Sequence, residues 1–386
     1  MNIVIAVDSF KGSANTFEVA DSIEKGIKRV EQSAVVTKLP LADGGEGTVD
    51  ALVTALNGKY FEEEVTGPLG EKVTAKWGLI NNNIAVIAMA EASGLTLIKK
   101  EDKNPFKTTT YGTGQLIKAA LDYGVKEIFV GIGGSATNDA GVGMAQALGV
   151  SFKDKYSQEI GFGAEALANI EFIDDSKLDR RINETKISVF SDVKNPLCGK
   201  DGASFVYGPQ KGASNDDVEI LDQLLKKYGR KLEEQLDINI MDEEGAGAAG
   251  GLGAGLLAFC NAEIFSGIDR ILNLIKLEEY MKNADLVITG EGKVDSQSVH
   301  GKAPIGVARI AKKCGIPVIA VVGSEEANIV DVYNQGIDLV IDIINKPMSL
   351  SEAMNNAPEL IENAGEKVIR AFALKNKTLK MKEEIV

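Results

Sequence analysis

Glycine-rich segments in this chain stand where a short apolar run ends and a helical pattern begins. The chain has 41 glycines against 9 prolines, and the glycines occur in clusters rather than in a low-complexity linker. Clustered glycines are typical of tight turns and of backbone that approaches a ligand closely. In open α/β sheets, ligands bind at the carboxyl ends of the strands. This placement favours an α/β fold with binding loops along one sheet edge.

Both ends of the chain carry the pattern of a parallel α/β domain. Short apolar runs predict strands at residues 3–7, 35–39, 285–289, 318–322 and 339–343. The helix after the first strand begins with a capping box formed by Asn15 and Glu18. Because strand and helix patterns alternate, we predict a Rossmann-like parallel-sheet domain built from residues 1–62 and 285–386.

The middle of the chain, residues 63–284, predicts a second, inserted α/β domain. Strand patterns at residues 60–66, 72–80 and 84–90 are joined by short turns, which indicates antiparallel pairing. Further strands are predicted at residues 127–132 and 186–191, and helices at residues 111–123, 139–148 and 216–236. The last of these helices is rich in Lys and Glu and is expected to be exposed.

Charge and cysteine content exclude several classes of function. The formal net charge is −14, which disfavours binding to nucleic acid and to anionic membranes, since both need Lys- and Arg-rich surfaces. Cys198, Cys260 and Cys314 have no C-x-x-C spacing and His300 is the only histidine, so neither a His-rich zinc site nor a Ser-His-Asp triad is expected. The N-terminus lacks a signal-peptide pattern, and we expect a cytoplasmic protein whose partner is a small molecule. The oligomeric state stays open.

Two motifs of the predicted Rossmann-like domain suit phosphate chemistry. The segment Asp8–Ser13 follows the first strand, and Lys11 offers a point charge for a phosphate or carboxylate, with Ser9 beside it. The segment Gly290–Ser298 offers a flexible turn at Gly290 and Gly292, a cation at Lys293, and carboxylates that include Asp295. A phosphoryl site that coordinates Mg²⁺ needs these groups. The alternative for both motifs is a solvated loop.

Two glycine loops of the chain precede predicted helices. In Leu41–Thr48, Gly44 and Gly45 bring backbone amides to a helix N-terminus, and Asp43 is a candidate to hold Mg²⁺ or accept a proton. An acidic helix start is the alternative. In Gly131–Asp139, an anion nest is predicted at Gly133, Gly134 and Ser135, with Asn138 either in the phosphate site or capping the helix.

Three further segments carry candidate residues, and two of them are open between a ligand role and a structural one. Asp192 follows a predicted strand and is either a general base or magnesium ligand, or part of a Pro-containing turn. Gly208–Ala213 supplies another lysine in a tight loop. The six glycines of Gly245–Gly255, with Gly250 and Gly251 at the centre, serve either close approach to phosphate or adenine, or close helix packing.

Taken in order, these segments resemble the glycerate kinase family of bacterial glyoxylate and sugar-acid metabolism. The resemblance runs from Met1 to about Arg370. It is carried by the segments DSFKGS, ADGGEGT, EASGL, TYGTGQLI, GIGGSATNDAGVGM, SDVKNPLCG, GPQKGA, GAGAAGGLGAG and ITGEGKVDSQS. Val7, where the family pattern has proline, and Ala14-Asn15 depart from it without removing Asp8, Ser9 or Lys11.

The resemblance implies an ATP- and Mg²⁺-dependent kinase that converts D-glycerate to 2-phosphoglycerate in a cleft between two α/β domains. Lys11 and Lys293 then neutralise phosphate or carboxylate oxygens, with Ser9, Gly44 and Gly45 near the substrate. Metal binding is expected at Asp192 and Asp295, while the base is one of Asp43, Asp192 and Asp295. The alternatives are a kinase that forms 3-phosphoglycerate and a non-catalytic nucleotide-binding regulator. A nicotinamide dehydrogenase is disfavoured because G-x-G-x-x-G is missing after the first strand.

Overall fold

A computed structural model of the chain describes residues 1–42, 44–45, 47–265, 267–294, 302–326 and 329–383. The strands are β1 (Asn2–Val7), β2 (Val35–Pro40), β3 (Lys59–Thr66), β4 (Lys72–Ile80), β5 (Ile84–Ala88), β6 (Glu127–Gly131), β7 (Ser151–Lys153), β8 (Phe172–Asp174), β9 (Lys186–Phe190), β10 (Glu263–Phe265), β11 (Leu286–Glu291), β12 (Val318–Val322) and β13 (Leu339–Asp342). Short 3₁₀ turns connect some of them.

The α-helices of the described residues are α1 (Thr16–Val30), α2 (Thr48–Ala55), α3 (Ala90–Ser93), α4 (Tyr111–Tyr123), α5 (Val142–Ala147), α6 (Ala203–Tyr207), α7 (Asn215–Leu236), α8 (Ala248–Cys260), α9 (Gly267–Leu274), α10 (Leu277–Met281), α11 (Ala303–Lys313), α12 (Val330–Asn334), α13 (Leu350–Asn355) and α14 (Ala357–Glu383). No helix of this described part is both long and apolar enough to cross a membrane.

The chain forms two compact units. Unit 1 consists of Met1–Ala42 and Ile268–Val386, and unit 2 of Asp43–Gly267. The predicted fold class is confirmed, because a parallel sheet is built from both chain ends and the inserted unit contains antiparallel strands. The units divide earlier than the sequence patterns suggested, since α2 packs on β4 and β5 of unit 2: a Cβ atom at Gly78 would meet the side chain of Val53.

Unit 1 contains a five-stranded sheet in the order β13-β12-β11-β1-β2. All neighbouring strands are parallel, and Val7 of β1 stands opposite Pro40 of β2 and Gly290 of β11. On one face of this sheet, alternate apolar side chains of β1 and β11 are buried against α1 and α14, which come from opposite ends of the chain. Because these strands run parallel, the carboxyl ends of β1, β11 and β12 lie at the same edge of the sheet.

Unit 2 contains a six-stranded mixed sheet in the order β10-β9-β6-β5-β4-β3. Strands β3, β4 and β5 pair antiparallel, as their turns predicted. Strand β5 then pairs parallel with β6, β6 with β9 and β9 with β10. One core cluster surrounds Trp77 and a second surrounds Tyr228. The carboxyl ends of β5, β6 and β9 therefore lie side by side.

Two predicted helices of unit 2 differ from the observed ones. The helix expected from residue 139 begins at Val142, because Ala140 and Gly141 have left-handed φ angles of 53° and 74°. The helix expected to be exposed, α7, is amphipathic and buries one face that includes Val218, Leu221 and Leu225. Its charged residues form the opposite face, so its composition alone was a poor guide to its burial.

Candidate active site

In unit 1, two motifs that are far apart in the sequence lie side by side. The backbone N–H of Asp8 donates to the carbonyl oxygen of Gly290 at 3.0 Å, and the N–H of Ser9 donates to Asp8 Oδ1 at 2.6 Å. Asp8 is buried, whereas Lys11 is exposed in the following turn. The adjacent parallel strands β1 and β11 thus bring Ser9 and Lys11 to the same sheet edge as the Gly290–Gly292 turn.

The turn after β11 carries the predicted Lys293 and a second charged residue, Glu291, that was not among the predicted site residues. Lys293 Nζ lies 3.1 Å from Glu326 Oε1, and both side chains are about half exposed. Glu291, whose side chain is 12% exposed, forms an ion pair with Lys302, and its Oε2 lies 3.4 Å from Lys302 Nζ. The position of Glu291 at the end of β11 was the signal in the sequence that could have marked it as a site residue. Asp295 lies outside the described residues, as does His300.

In unit 2, the loop before α2 touches the loop after β6. The N–H of Gly133 donates to the carbonyl oxygen of Gly44 at 3.2 Å. Gly44 and Gly45 are buried, Gly133 is half-buried and Gly134 is exposed with a φ of +73°. Two of the predicted phosphate-site loops therefore meet at one sheet edge. Asp43, which directly precedes Gly44 in the sequence, lies outside the described residues.

The loop after β6 is held on a second side by the segment after β5. The N–H of Leu95 donates to the carbonyl of Gly134, and the N–H of Ala136 donates to the carbonyl of Ser93, each at 2.9 Å. Ser135 is buried by this pairing. The EASGL segment thus supports the predicted anion nest, a role that its own composition did not indicate.

Asp139 forms a buried polar centre beneath this loop. Its carboxylate accepts hydrogen bonds from the N–H of Thr110 at 2.8 Å, the Thr110 hydroxyl at 2.9 Å, and the N–H groups of Gly141 and Gly143 at 3.2 and 3.3 Å. Burial raises the pKa of Asp139, and these donors oppose the rise. The neighbouring Asn138 is also buried and donates from Nδ2 to Ser204 Oγ at 3.1 Å. Asn138 thus anchors the loop to α6.

Lys211, at the end of the turn Pro209–Lys211, is the buried cation of this region. Its side chain is 1% exposed, and Nζ donates to the carbonyl oxygen of Thr137 at 2.7 Å. Desolvation lowers the pKa of Lys211 to about 7, against the opposing effect of the Asp139 carboxylate. Sequence patterns placed this lysine in a tight loop, but gave no sign that it is buried.

The glycine cluster of α8 packs directly on the same loop. A Cβ atom at Gly250 would lie 1.9 Å from the Thr137 carbonyl oxygen, and the N–H of Ala140 donates to the carbonyl of Gly250 at 3.0 Å. Ala249, Gly250 and Gly251 all have left-handed φ angles. Close backbone packing accounts for glycine at position 250, and contact of this segment with a nucleotide stays a prediction.

Asp192 lies at the carboxyl end of β9, next to the end of β6. Its side chain is exposed, while the N–H of the preceding Ser191 donates to the carbonyl of Phe265 at 3.1 Å. Magnesium typically uses one or two carboxylates plus substrate phosphates, so a single exposed carboxylate fits such a site. Among the residues the structure describes, no group of three or more His, Cys, Asp or Glu side chains is arranged to hold a metal.

The predicted site residues therefore fall into three groups. At the unit 1 edge lie Ser9, Lys11, Gly290, Gly292 and Lys293. At the unit 2 edge lie Gly44, Gly45, Gly133, Gly134, Ser135 and Asp192. Buried beneath the latter are Asn138, Gly250 and Gly251. Thr110, Asp139 and Lys211 lie near this buried group in unit 2, and Glu291 lies at the unit 1 edge.

Comparison with known proteins gives consistent matches along the whole chain. The model of the glycerate kinase family matches residues 3–373. A glycerate kinase of Halalkalibacterium halodurans is 49% identical over 367 residues, covering 95% of this chain and 97% of the relative. The glycerate 2-kinase of Escherichia coli is 47% identical over 375 residues, covering 97% of this chain and 98% of the relative. A crystal structure of a Salmonella typhimurium LT2 protein assigned as glycerate kinase 2 matches with a TM-score of 0.84 and 46% identity, over 98% and 99% of the two chains.

Proposed function

The chain belongs to the glycerate kinase family, and we propose that it transfers the γ-phosphoryl group of ATP to D-glycerate with the help of Mg²⁺. The chain is an enzyme that phosphorylates glycerate. The proposal adds the identity of the nucleotide, the identity of the cation and the choice of the hydroxyl that reacts. The identity to a glycerate 2-kinase supports 2-phosphoglycerate as the product.

The observation that carries the proposal is the meeting of the Gly44 and Gly133 loops. Backbone N–H groups of a glycine-rich turn at the carboxyl end of parallel strands form a concave site for phosphate oxygens. The loop is supported from both sides, since Gly133 donates its N–H to Gly44 and Ala136 donates its N–H to Ser93. The amides of Gly134 and Ser135, which lie between these two bonds, are therefore preorganised. A preorganised nest positions a phosphoryl group at no cost in reordering during the reaction.

In the proposed reaction, a glycerate hydroxyl oxygen forms a bond to the γ-phosphorus while the bond from that phosphorus to the β,γ-bridging oxygen breaks. The hydroxyl proton passes to a carboxylate, one of Asp43, Asp192 and Asp295. Lys11 and Lys293 offset the charge of the phosphate and glycerate oxygens. Asp192 and Asp295 would hold Mg²⁺, which would offset the negative charge of the phosphate oxygens. The joint action of groups from both units on one substrate stays a prediction.

ADP release in the presence of ATP and Mg²⁺ tests the proposal. D-glycerate should stimulate release well above L-lactate or glycerol, because lactate lacks its second hydroxyl and glycerol lacks its carboxylate. NMR of the product should show phosphate on the 2-hydroxyl rather than the 3-hydroxyl. Equal rates with all three acceptors would refute glycerate specificity. Saturable ATP binding without glycerate-dependent ADP release would instead indicate a non-catalytic nucleotide-binding regulator.

A cytoplasmic location forms part of the same proposal. Cys198, Cys260 and Cys314 are all free thiols, as is usual in a reducing compartment. Burial raises the pKa of Cys198 and Cys260 to about 12, so neither is present as a reactive thiolate at neutral pH. Fractionation of the native host cells, with activity measured in each fraction, tests the location.

A further inference from the structure

The buried ammonium group of Lys211 is costly for the fold and needs a reason. Lysine is almost never fully buried unless it is paired, since removing its charge from water is strongly unfavourable. Here the group donates to the carbonyl oxygen of Thr137 at 2.7 Å rather than to a carboxylate. An apolar side chain of similar volume would fill the space with a smaller penalty.

Two hydrogen bonds tie the segment Ala203–Lys211 to the loop that follows β6. Lys211 Nζ bonds to the carbonyl of Thr137, and Ser204 Oγ accepts from Nδ2 of the adjacent Asn138. Gly134, the exposed residue of the predicted nest, lies three positions before Thr137 in the sequence. The two bonds fix the inner end of this loop, and its outer end, at Gly134, is the part proposed to bind phosphate.

We propose that Lys211 is a positioning residue for phosphate binding: from beneath the loop it holds Thr137 in place and supplies a positive charge to the anion nest. The inference rests on the proposed function of this loop. Lys211 does not contact the substrate. It acts through the Thr137 carbonyl and through the electrostatic field at the nest, which is strong where water is excluded.

Protonation of Lys211 should then link phosphate binding to pH. The charged group that acts on it is the Asp139 carboxylate, on the loop after β6. Asp139 also acts on the Tyr228 hydroxyl of α7, whose pKa is raised by burial and by Asp139. With a pKa of about 7, Lys211 changes charge near neutral pH. Its loss of a proton leaves the Asp139 charge uncompensated. Affinity for phosphate should therefore fall as pH rises through about 7.

The test compares Lys211→Met with Lys227→Met. Lys227 also donates from Nζ to a carbonyl oxygen, that of Ala168, at 2.7 Å, but it is exposed and remote from the loop in sequence. We expect Lys211→Met to raise KM for ATP about tenfold at pH 6.5, where most of the Lys211 side chains carry the positive charge that the variant lacks. The kcat should change little, and the dependence of KM on pH around 7 should disappear. Lys227→Met should match the unaltered protein.

Two measurements keep the inference separable from the proposed function and from misfolding. Calorimetric titration with ATP alone needs no glycerate, so Lys211 dependence of ATP binding would persist even if glycerate were not the acceptor. ¹³C-lysine NMR of the unaltered protein should show one lysine titrating near pH 7 that moves to higher pH when ATP is added. A folded Lys211→Met with unchanged ATP affinity and pH profile would overturn the inference, as would a lysine titration that ATP does not shift.

Discussion

Gly26 of α1 lies so close to Glu362 of α14 that an added Cβ atom would stand 2.0 Å from the Glu362 carbonyl oxygen. The contact joins helices from opposite ends of the chain. We expect Gly26→Ala to reduce the free energy of unfolding by about 1–3 kcal/mol, because overpacking forces the helices apart. Urea denaturation measures the change. Lys25→Ala, an exposed site on the same helix, is the control, and equal stability of the two variants would contradict the prediction.

Gly250→Ala and Gly315→Ala separate backbone conformation from close packing. Both glycines have similar left-handed φ angles, 69° and 71°, and an alanine there costs about 1–2 kcal/mol from conformation alone. At Gly315 no described heavy atom lies within 4 Å of the added Cβ, beyond its chain neighbours, whereas at Gly250 the Thr137 carbonyl is 1.9 Å away. Gly250→Ala should therefore be the less stable variant and should also raise KM for ATP. Thermal melting and steady-state kinetics measure the two effects.

Lys293→Met should lower kcat and kcat/KM together by about 10²–10³-fold if Lys293 stabilises charge chiefly in the transition state. Asp295→Asn tests the predicted carboxylate of the same segment in the same assay. The matched control is Lys276→Met, an exposed lysine of unit 1 that lies 3.8 Å from Glu279. Near-normal kcat in well-folded Lys293→Met and Asp295→Asn would mean that the turn is only solvated.

The stability of Lys211→Met should depend on pH differently from that of the unaltered protein. The folded-state pKa of Lys211, about 7, lies below the unfolded value of about 10.4, so the unfolded chain binds more protons between these limits. The unaltered protein should therefore gain up to about 1.4 kcal/mol per pH unit relative to Lys211→Met as pH rises above 7. At pH 7 and below, the variant should be at least as stable.

Urea unfolding of both proteins at pH 6.5, 7.5 and 8.5 checks this dependence. Other groups that titrate, such as the free cysteines, cancel in the difference between the two proteins. A difference that does not change with pH would mean that Lys211 is not desolvated in solution. Weaker ATP binding together with undiminished stability would distinguish a positioning residue from a merely structural one.

Local periodicity predicted most elements of the fold. The helix Tyr111–Tyr123 and the strands Lys72–Ile80 and Val318–Val322 were placed at their observed bounds. Each has a clear apolar pattern that ends at a turn, and packing follows that pattern. The pairing of both chain ends in one parallel sheet also followed from the alternation of strands and helices.

The features that sequence reasoning missed depend on contacts between distant residues. The delayed start of α5 follows from Asp139, whose carboxylate binds Thr110 and the N–H groups of Gly141 and Gly143. Lys211 was missed as a buried group because lysine is ordinarily exposed and nothing local marks an exception. The predicted roles of Asp43, Asp192 and Asp295 stay predictions.

The division of unit 1 between the two ends of the chain has a consequence for its synthesis. Strand β1 lies between β2 and β11 in its sheet, yet β11 leaves the ribosome only after all of unit 2. Unit 2 is continuous, so it can complete its fold while β1 still lacks β11, its neighbour on the side opposite β2. Chains generally fold from the N-terminus as they emerge. The first strand to be made is therefore among the last to be paired on both sides. Once unit 2 is folded, the flexible loop between β1 and β11 is shorter, so less chain entropy is lost when the two strands pair.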